Sequence, residues 1–102
     1  MLTSKQRAKL KSIGANTDAL YQMGKNEIEE NYIIQINLAL DAKELIKIKI
    51  LENAQYTAGE AAQMLAERTD SEVVQVIGSK ALLYRKSRKI EKRELSKIVE
   101  NI

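Results

Sequence analysis

Gly24-Lys25-Asn26-Glu27 is the segment of this chain whose residue types could meet a charged ligand. A glycine leaving a strand lets the backbone approach a partner closely. The N–H groups at the start of a following helix favour phosphate, and Lys25 adds a point charge beside them. A carboxylate at Glu27 opposes that attraction. The same residues also make an ordinary strand-to-helix turn with a good cap.

Other cations stand where strands are expected. Lys47 and Lys49 alternate with isoleucines in Glu44-Leu45-Ile46-Lys47-Ile48-Lys49-Ile50. They share one face, either as part of an electrostatic track for phosphates or as a solvated face of a half-covered sheet. Arg85 suits a phosphate fork or stacking on a base. Tyr84 beside it could stack or fill the core. Catalysis has little to work with. The chain has no histidine and no cysteine, so the usual general base and the strongest nucleophile are missing. A zinc site would rest on carboxylates alone. No enzyme activity, metal, cofactor or small-molecule substrate is expected.

Bulk properties bound the partner. The chain has 102 residues, 44% hydrophobic and 30% charged, which suits one globular domain. The net charge of +3 is small but unevenly spread. Residues 27–72 hold ten acids and four cations, whereas residues 80–93 hold seven cations and one acid. Basic ends around an acidic middle suggest a localised anionic partner, or solvated ends that aid solubility. No apolar run reaches a membrane span, and a signal peptide is not expected. The expected compartment is the cytoplasm.

The elements that must position these residues follow from caps and periodicity. Thr3-Ser4-Lys5-Gln6 has the form of a capping box and predicts a helix to Ile13, ended by Gly14. Ala19 to Met23 reads as a short strand. Asn26, with Glu29 as reciprocal partner, predicts a helix to about Leu40, with Ile28, Tyr32, Ile36, Ala39 and Leu40 on one face. Glu44 to Glu52 alternates with period two and is a strand, with Ile46, Ile48 and Ile50 on one side. Thr57-Ala58-Gly59-Glu60 caps a helix to Arg68, with Ala58, Ala61, Ala62 and Leu65 inward. Val73–Ile77 and Ala81–Arg85 form a hairpin around Gly78-Ser79-Lys80. The order α-β-α-β-α-β-β predicts an α/β fold, a mixed four-stranded sheet with helices packed on it. Leu95, Ile98, Val99 and Ile102 then predict a short C-terminal amphipathic helix, marginal by itself.

Three segments together resemble the CRM domain of YhbY-like proteins: the strand Glu44–Ile50, the hairpin from Val74-Gln75-Val76-Ile77-Gly78 to Leu83-Tyr84-Arg85, and the Gly24 turn. The resemblance runs from Leu2 to about Lys86, giving a domain over 1–86 and a basic tail over 87–102. It implies a two-layer α/β sandwich, similar to the C-terminal domain of translation initiation factor three. It also implies an RNA partner, ribosomal RNA in precursors of the large subunit, with the chain as an assembly factor. The family's loop is Gly-x-x-Gly, and here Glu27 replaces the second glycine, which implies a weaker clamp. The Leu-Tyr-Arg end is implied to face RNA near that loop. The residues expected at RNA are Gly24, Lys25, Asn26, Arg85, Lys86, Lys80, Arg7, Lys11, Lys47 and Lys49. With only 4% aromatics and no Trp or Phe, recognition would rest on backbone and shape.

An alternative function belongs to another class. Ile34 and Leu38 lie one turn apart, off the inward face of the second helix. An exposed apolar pair and an unpartnered C-terminal helix would suit a protein-interaction adaptor. The C-terminal helix is expected to dock where it shields such a pair, on its own domain or on a second copy.

Overall fold

The structure, a computed structural model, describes residues 2–25 and 29–102. The elements run α1 (Ser4–Ala15), β1 (Tyr21–Met23), α2 (Glu30–Lys43), β2 (Leu45–Ile50), α3 (Ala58–Thr69), β3 (Glu72–Ile77), β4 (Lys80–Tyr84), a 3-10 turn at Ile90–Lys92, and α4 (Leu95–Glu100). The sheet order is β1-β2-β4-β3. β1 and β2 are parallel, while β4 lies antiparallel to both β2 and β3. The connection through α3 therefore skips one strand position, which β4 fills on its return.

Alternation along the strands sorts side chains onto two faces. Ile46, Ile48 and Ile50 of β2, Met23 of β1 and Leu83 of β4 meet Ile33, Ile36 and Leu40 of α2 and Ala61, Leu65 and Ala66 of α3 in one core. The opposite face carries a second core of Leu45, Leu82, Tyr84 and Val74 against Leu10 of α1 and Val99 of α4. Helices thus lie on both faces, and the second pair leaves the Lys47–Lys49 end of its face open.

Local chemistry explains the boundaries. Two of the three expected capping boxes form, at Thr3/Gln6 and Thr57/Glu60. α1 continues past Gly14 because that glycine is an interior contact residue. A Cβ there would sit 2.3 Å from Leu82 Cδ2. α2 begins later than predicted, with Glu29 as N-cap and no side-chain capping bond. The expected cap, Asn26, lies outside the described residues. The expected inward position of Ile28 lies outside the described residues. Gly78 adopts φ 57° in the hairpin turn, as such turns demand.

The segment 87–102 packs into the fold. Ser87, Ser96 and Val99 are buried, with Leu95 partly so. The C-terminal helix thus docks on its own domain, through the second core and against α1. It does not shield Ile34 and Leu38, which remain 50% and 59% exposed on α2. The predicted stripe is only half used, because Ile98 and Ile102 stay in solvent.

Candidate nucleic-acid interface

Strand register places the basic residues at two ends of the sheet. On the face opposite α2 and α3, Lys47 pairs across β4 with Leu82, and Leu82 pairs with Gln75. The next row is Gln22, Lys49, Lys80 and Ile77. Lys49 and Lys80 are direct cross-strand partners, an arrangement that is unfavourable for like charges without a counter-ion. Among the described residues, no carboxylate forms an ion pair with Lys47, Lys49 or Lys80. Lys49 and Lys80 are exposed, and Lys47 is half-buried.

The Gly24 turn joins this same end. β1 and β2 are parallel, so Gly24 and Lys25 leave the sheet beside Leu51 and Asn53. The Leu51 N–H donates to Met23 O at 2.8 Å, and a Cβ on Gly24 would lie 3.3 Å from Leu51 Cδ1. Lys25 is exposed. Nearby, the Tyr32 hydroxyl donates to Gln22 O at 2.8 Å and ties α2 to β1. Burial pushes that phenol up to about 12, so it remains a donor at neutral pH. Asn26 and Glu27 lie outside the described residues. Lys25, Lys47, Lys49 and Lys80 thus gather at one end. Lys11 is exposed on α1.

The other end is built differently. Tyr84 pairs with Leu45, five residues from the Ile50 row, so the two ends are about 16 Å apart along the strand. The expected closeness of the Leu-Tyr-Arg end to the glycine turn is not found. Tyr84 is a core residue, with its phenol pushed up to about 12 by burial and by Glu44, Glu100 and Glu72. Arg85 does not reach solvent as a phosphate fork. Its guanidinium donates to Asn37 Oδ1 and Thr69 O, each at 2.6 Å, and to Asn37 O at 3.1 Å. It also pairs with Asp41 at 2.8 Å, both side chains only 10% exposed. The neighbours are hydrogen-bond acceptors on α2 and α3, so Arg85 clamps α2, α3 and the end of β4 together.

Arg7 is likewise occupied. Its Nη1 donates to Val73 O at 2.6 Å and Val74 O at 2.9 Å. The β3–β4 register slips between Val73 and Gln75, so Arg7 satisfies carbonyls beside a bulge. Lys86 reaches Glu100 at 2.9 Å, with both side chains about half exposed. Such a surface pair contributes little stability and leaves Lys86 accessible.

Two buried acids, unrecognised in the sequence, hold the basic segment down. Asp41 accepts from Arg85, from the Arg88 N–H at 2.9 Å and from the Arg88 guanidinium. Desolvation raises its pKa, but the Arg88 and Arg85 hydrogen bonds and the Arg85 charge outweigh that and bring it to about 2. Glu44 leaves α2 at φ 67° and is 1% exposed. Its carboxylate accepts the Ser87 N–H at 2.7 Å and the Ser96 N–H at 3.0 Å. The second bond satisfies a free donor in the first turn of α4. The signal available in sequence was the unbroken Asp41-Ala42-Lys43-Glu44 helix end, which carries no glycine to stop it.

The match to known proteins is direct. The CRS1 / YhbY (CRM) domain model matches residues 2–85. The chain belongs to this family. Probable RNA-binding protein YqeI of Bacillus subtilis is 37% identical over 95 residues, 93% of this chain and 99% of that protein. Probable RNA-binding protein PA4753 of Pseudomonas aeruginosa is 32% identical over 91 residues, 89% and 88% of the two chains. The solution structure of the hypothetical protein SAV1595 from Staphylococcus aureus aligns with TM-score 0.74 at 45% identity, covering 92% of this chain and 98% of that one. The CRM fold here is therefore the expected mixed sheet with its helices. Among the described residues, no helix is long and apolar enough to cross a membrane.

Proposed function

We propose that this CRM domain binds RNA, with Lys25, Lys47, Lys49 and Lys80 as its phosphate-contacting residues. The observation that carries the reading is the Lys49–Lys80 cross-strand pair. The two lysines are direct cross-strand neighbours and neither forms an ion pair among the described residues, and a polyanion supplies the missing charge. The names of the bacterial relatives support RNA as that polyanion. Lys86 and Lys11 can extend the contact, whereas Arg7 and Arg85 contribute by holding the scaffold. The finer reading takes the RNA to be ribosomal RNA in large-subunit precursors in the cytoplasm, with the chain as a non-enzymatic assembly factor. It rests on the family resemblance.

Binding of this kind releases counter-ions, so affinity falls steeply with salt. Filter binding or anisotropy across a salt series tests it, and an affinity indifferent to salt would remove the phosphate contacts. In-cell crosslinking tests the finer reading. Crosslinks spread over messenger RNA, with none in ribosomal RNA, would overturn it.

A second reading rests on Ile34 and Leu38, which are exposed on α2. They suit a protein contact, which salt would not weaken.

A further inference from the structure

We infer that the groove between the C-terminal end of α1 and the sheet receives one unpaired nucleotide of the bound RNA, its base held against the sheet. This rests on the RNA-binding reading and names the nucleic-acid form it takes. The groove encloses about 290 Å³ and is lined by Ala15, Lys47, Gln75, Ile77, Lys80 and Leu82, with Gly14 behind them. That volume lies near the small end of ligand sites, about 300–1,000 Å³.

The register explains how the walls arise. Lys47, Leu82 and Gln75 form one cross-strand row, and Lys80 and Ile77 belong to the next. Gly14 lets α1 rest on Leu82 with no Cβ between them. The floor is thus aliphatic and the rim is polar. A flipped-out base can pack flat on apolar side chains while its edge finds hydrogen bonds. Gln75 is half-buried on the wall, and among the described residues its amide makes no hydrogen bond. It offers both a donor and an acceptor, the pairing that an amide makes with a base edge. Lys47 and Lys80 stand on either side with no carboxylate partner among the described residues, placed for the phosphates that flank such a nucleotide. A paired strand could not enter, because its bases are stacked and its edges occupied.

Fluorescence anisotropy at fixed salt tests this with two probes, an unstructured single-stranded RNA dodecamer and the same dodecamer annealed to its complement. Ala15 is exposed at the end of α1, so Ala15→Trp can fill the groove without changing charge, and circular dichroism confirms folding. The expected result is at least a fivefold loss of affinity for the single strand, with duplex affinity within twofold of the parent. Gln75→Ala should alter the preference among homopolymeric single strands. Nucleotide titration by NMR should move the Gln75 side-chain amide in the parent protein. Lys25→Glu with Lys49→Glu, outside the groove, reports the parent reading. If that pair abolishes binding while Ala15→Trp binds single strands normally, the groove proposal fails and RNA binding stands. Equal losses for both probes in Ala15→Trp also overturn it. If the parent protein binds neither probe, both readings fail.

Discussion

Replacing Arg85 separates structure from function in this domain. In Arg85→Met the aliphatic stem survives, but the fork is lost. Asn37 Oδ1, Asn37 O, Thr69 O and Asp41 each lose a donor within 3.1 Å. Removing one partner of a buried ion pair costs about 3–5 kcal/mol, because the other charge stays buried. Asp41 keeps Arg88, through the backbone N–H and the guanidinium, which argues for the lower bound, about 3 kcal/mol. In a domain of this size about 1 kcal/mol moves Tm by roughly 4–8 °C, so a fall of roughly 12–24 °C is expected. Thermal and urea unfolding followed by circular dichroism measure it. RNA affinity, measured well below the new Tm, should remain within about twofold of the parent. Arg85→Lys should recover only part of the stability, since an ammonium cannot reproduce a planar fork across helix and strand. Unchanged stability with a tenfold loss of RNA affinity would refute the clamp and return Arg85 to the interface.

Lys49→Glu with Lys80→Glu should weaken RNA binding well over tenfold with the fold intact. It should also flatten the log–log salt dependence by about 1.4 if two single-strand phosphate contacts are lost, and an unchanged slope would remove both residues from the interface. Acid should unfold the protein in a defined window. The folded Asp41 pKa of about 2 lies below its ordinary 3.8, so its stabilisation is complete above pH 4 and is lost as pH falls through 2. This is worth about 2 kcal/mol, and Asp41→Asn should abolish that part of the acid titration. Glu44→Ala should speed amide exchange at Ser87 and Ser96, which lose their acceptor. Exchange at those two sites matching the parent would show that α4 is held by Val99 and Leu95 alone. Deleting residues 94–102 should expose Leu10, Leu45 and Tyr84 and lower stability by about 2 kcal/mol or more, as burial of Val99 and Leu95 is lost; a Tm equal to that of the full chain would refute this docking.

Much of the fold was legible because local signals agreed with one another. Period-two alternation in β2 placed Ile46, Ile48 and Ile50 in one core and Lys47 and Lys49 on the other face. Thr3 and Thr57 marked helix starts because both capping partners stood at the required spacing. What failed was decided by contacts distant in sequence. Gly14 reads as a helix stop, yet α1 needs a missing Cβ there to meet Leu82, 68 positions away. Arg85 and Arg7 read as free cations because nothing local announces that their acceptors are Asn37, Thr69, Val73 and Val74. The candidate site was legible only as a list of basic residues. Strand pairing then sorted it by joining Lys49 to Lys80 and carrying Arg85 to the far end.

That sorting also assigns the acids a role. Between residues 27 and 72 acids outnumber cations by ten to four, which by itself would repel an RNA. Two of them, Asp41 and Glu44, are buried and turned toward the C-terminal segment, where they hold Arg85, Arg88, Ser87 and Ser96. Glu100 meets Lys86 on the same side. Negative charge is thereby spent within the Tyr84 end of the sheet, against the most basic stretch of the sequence. The lysines of the opposite end, fewer in number, carry no such partners among the described residues. Within that basic stretch Arg85, Lys86 and Arg88 are paired with acids, whereas Lys25, Lys47, Lys49 and Lys80 have no such pairing among the described residues and present the charge that an incoming polyanion meets. A charge-reversal scan should show this asymmetry. Substitutions at Lys25, Lys49 and Lys80 should act on affinity with little change in Tm, whereas those at Arg85 and Arg88 should act on Tm first. An equal effect on affinity from both ends would mean that RNA wraps the whole sheet.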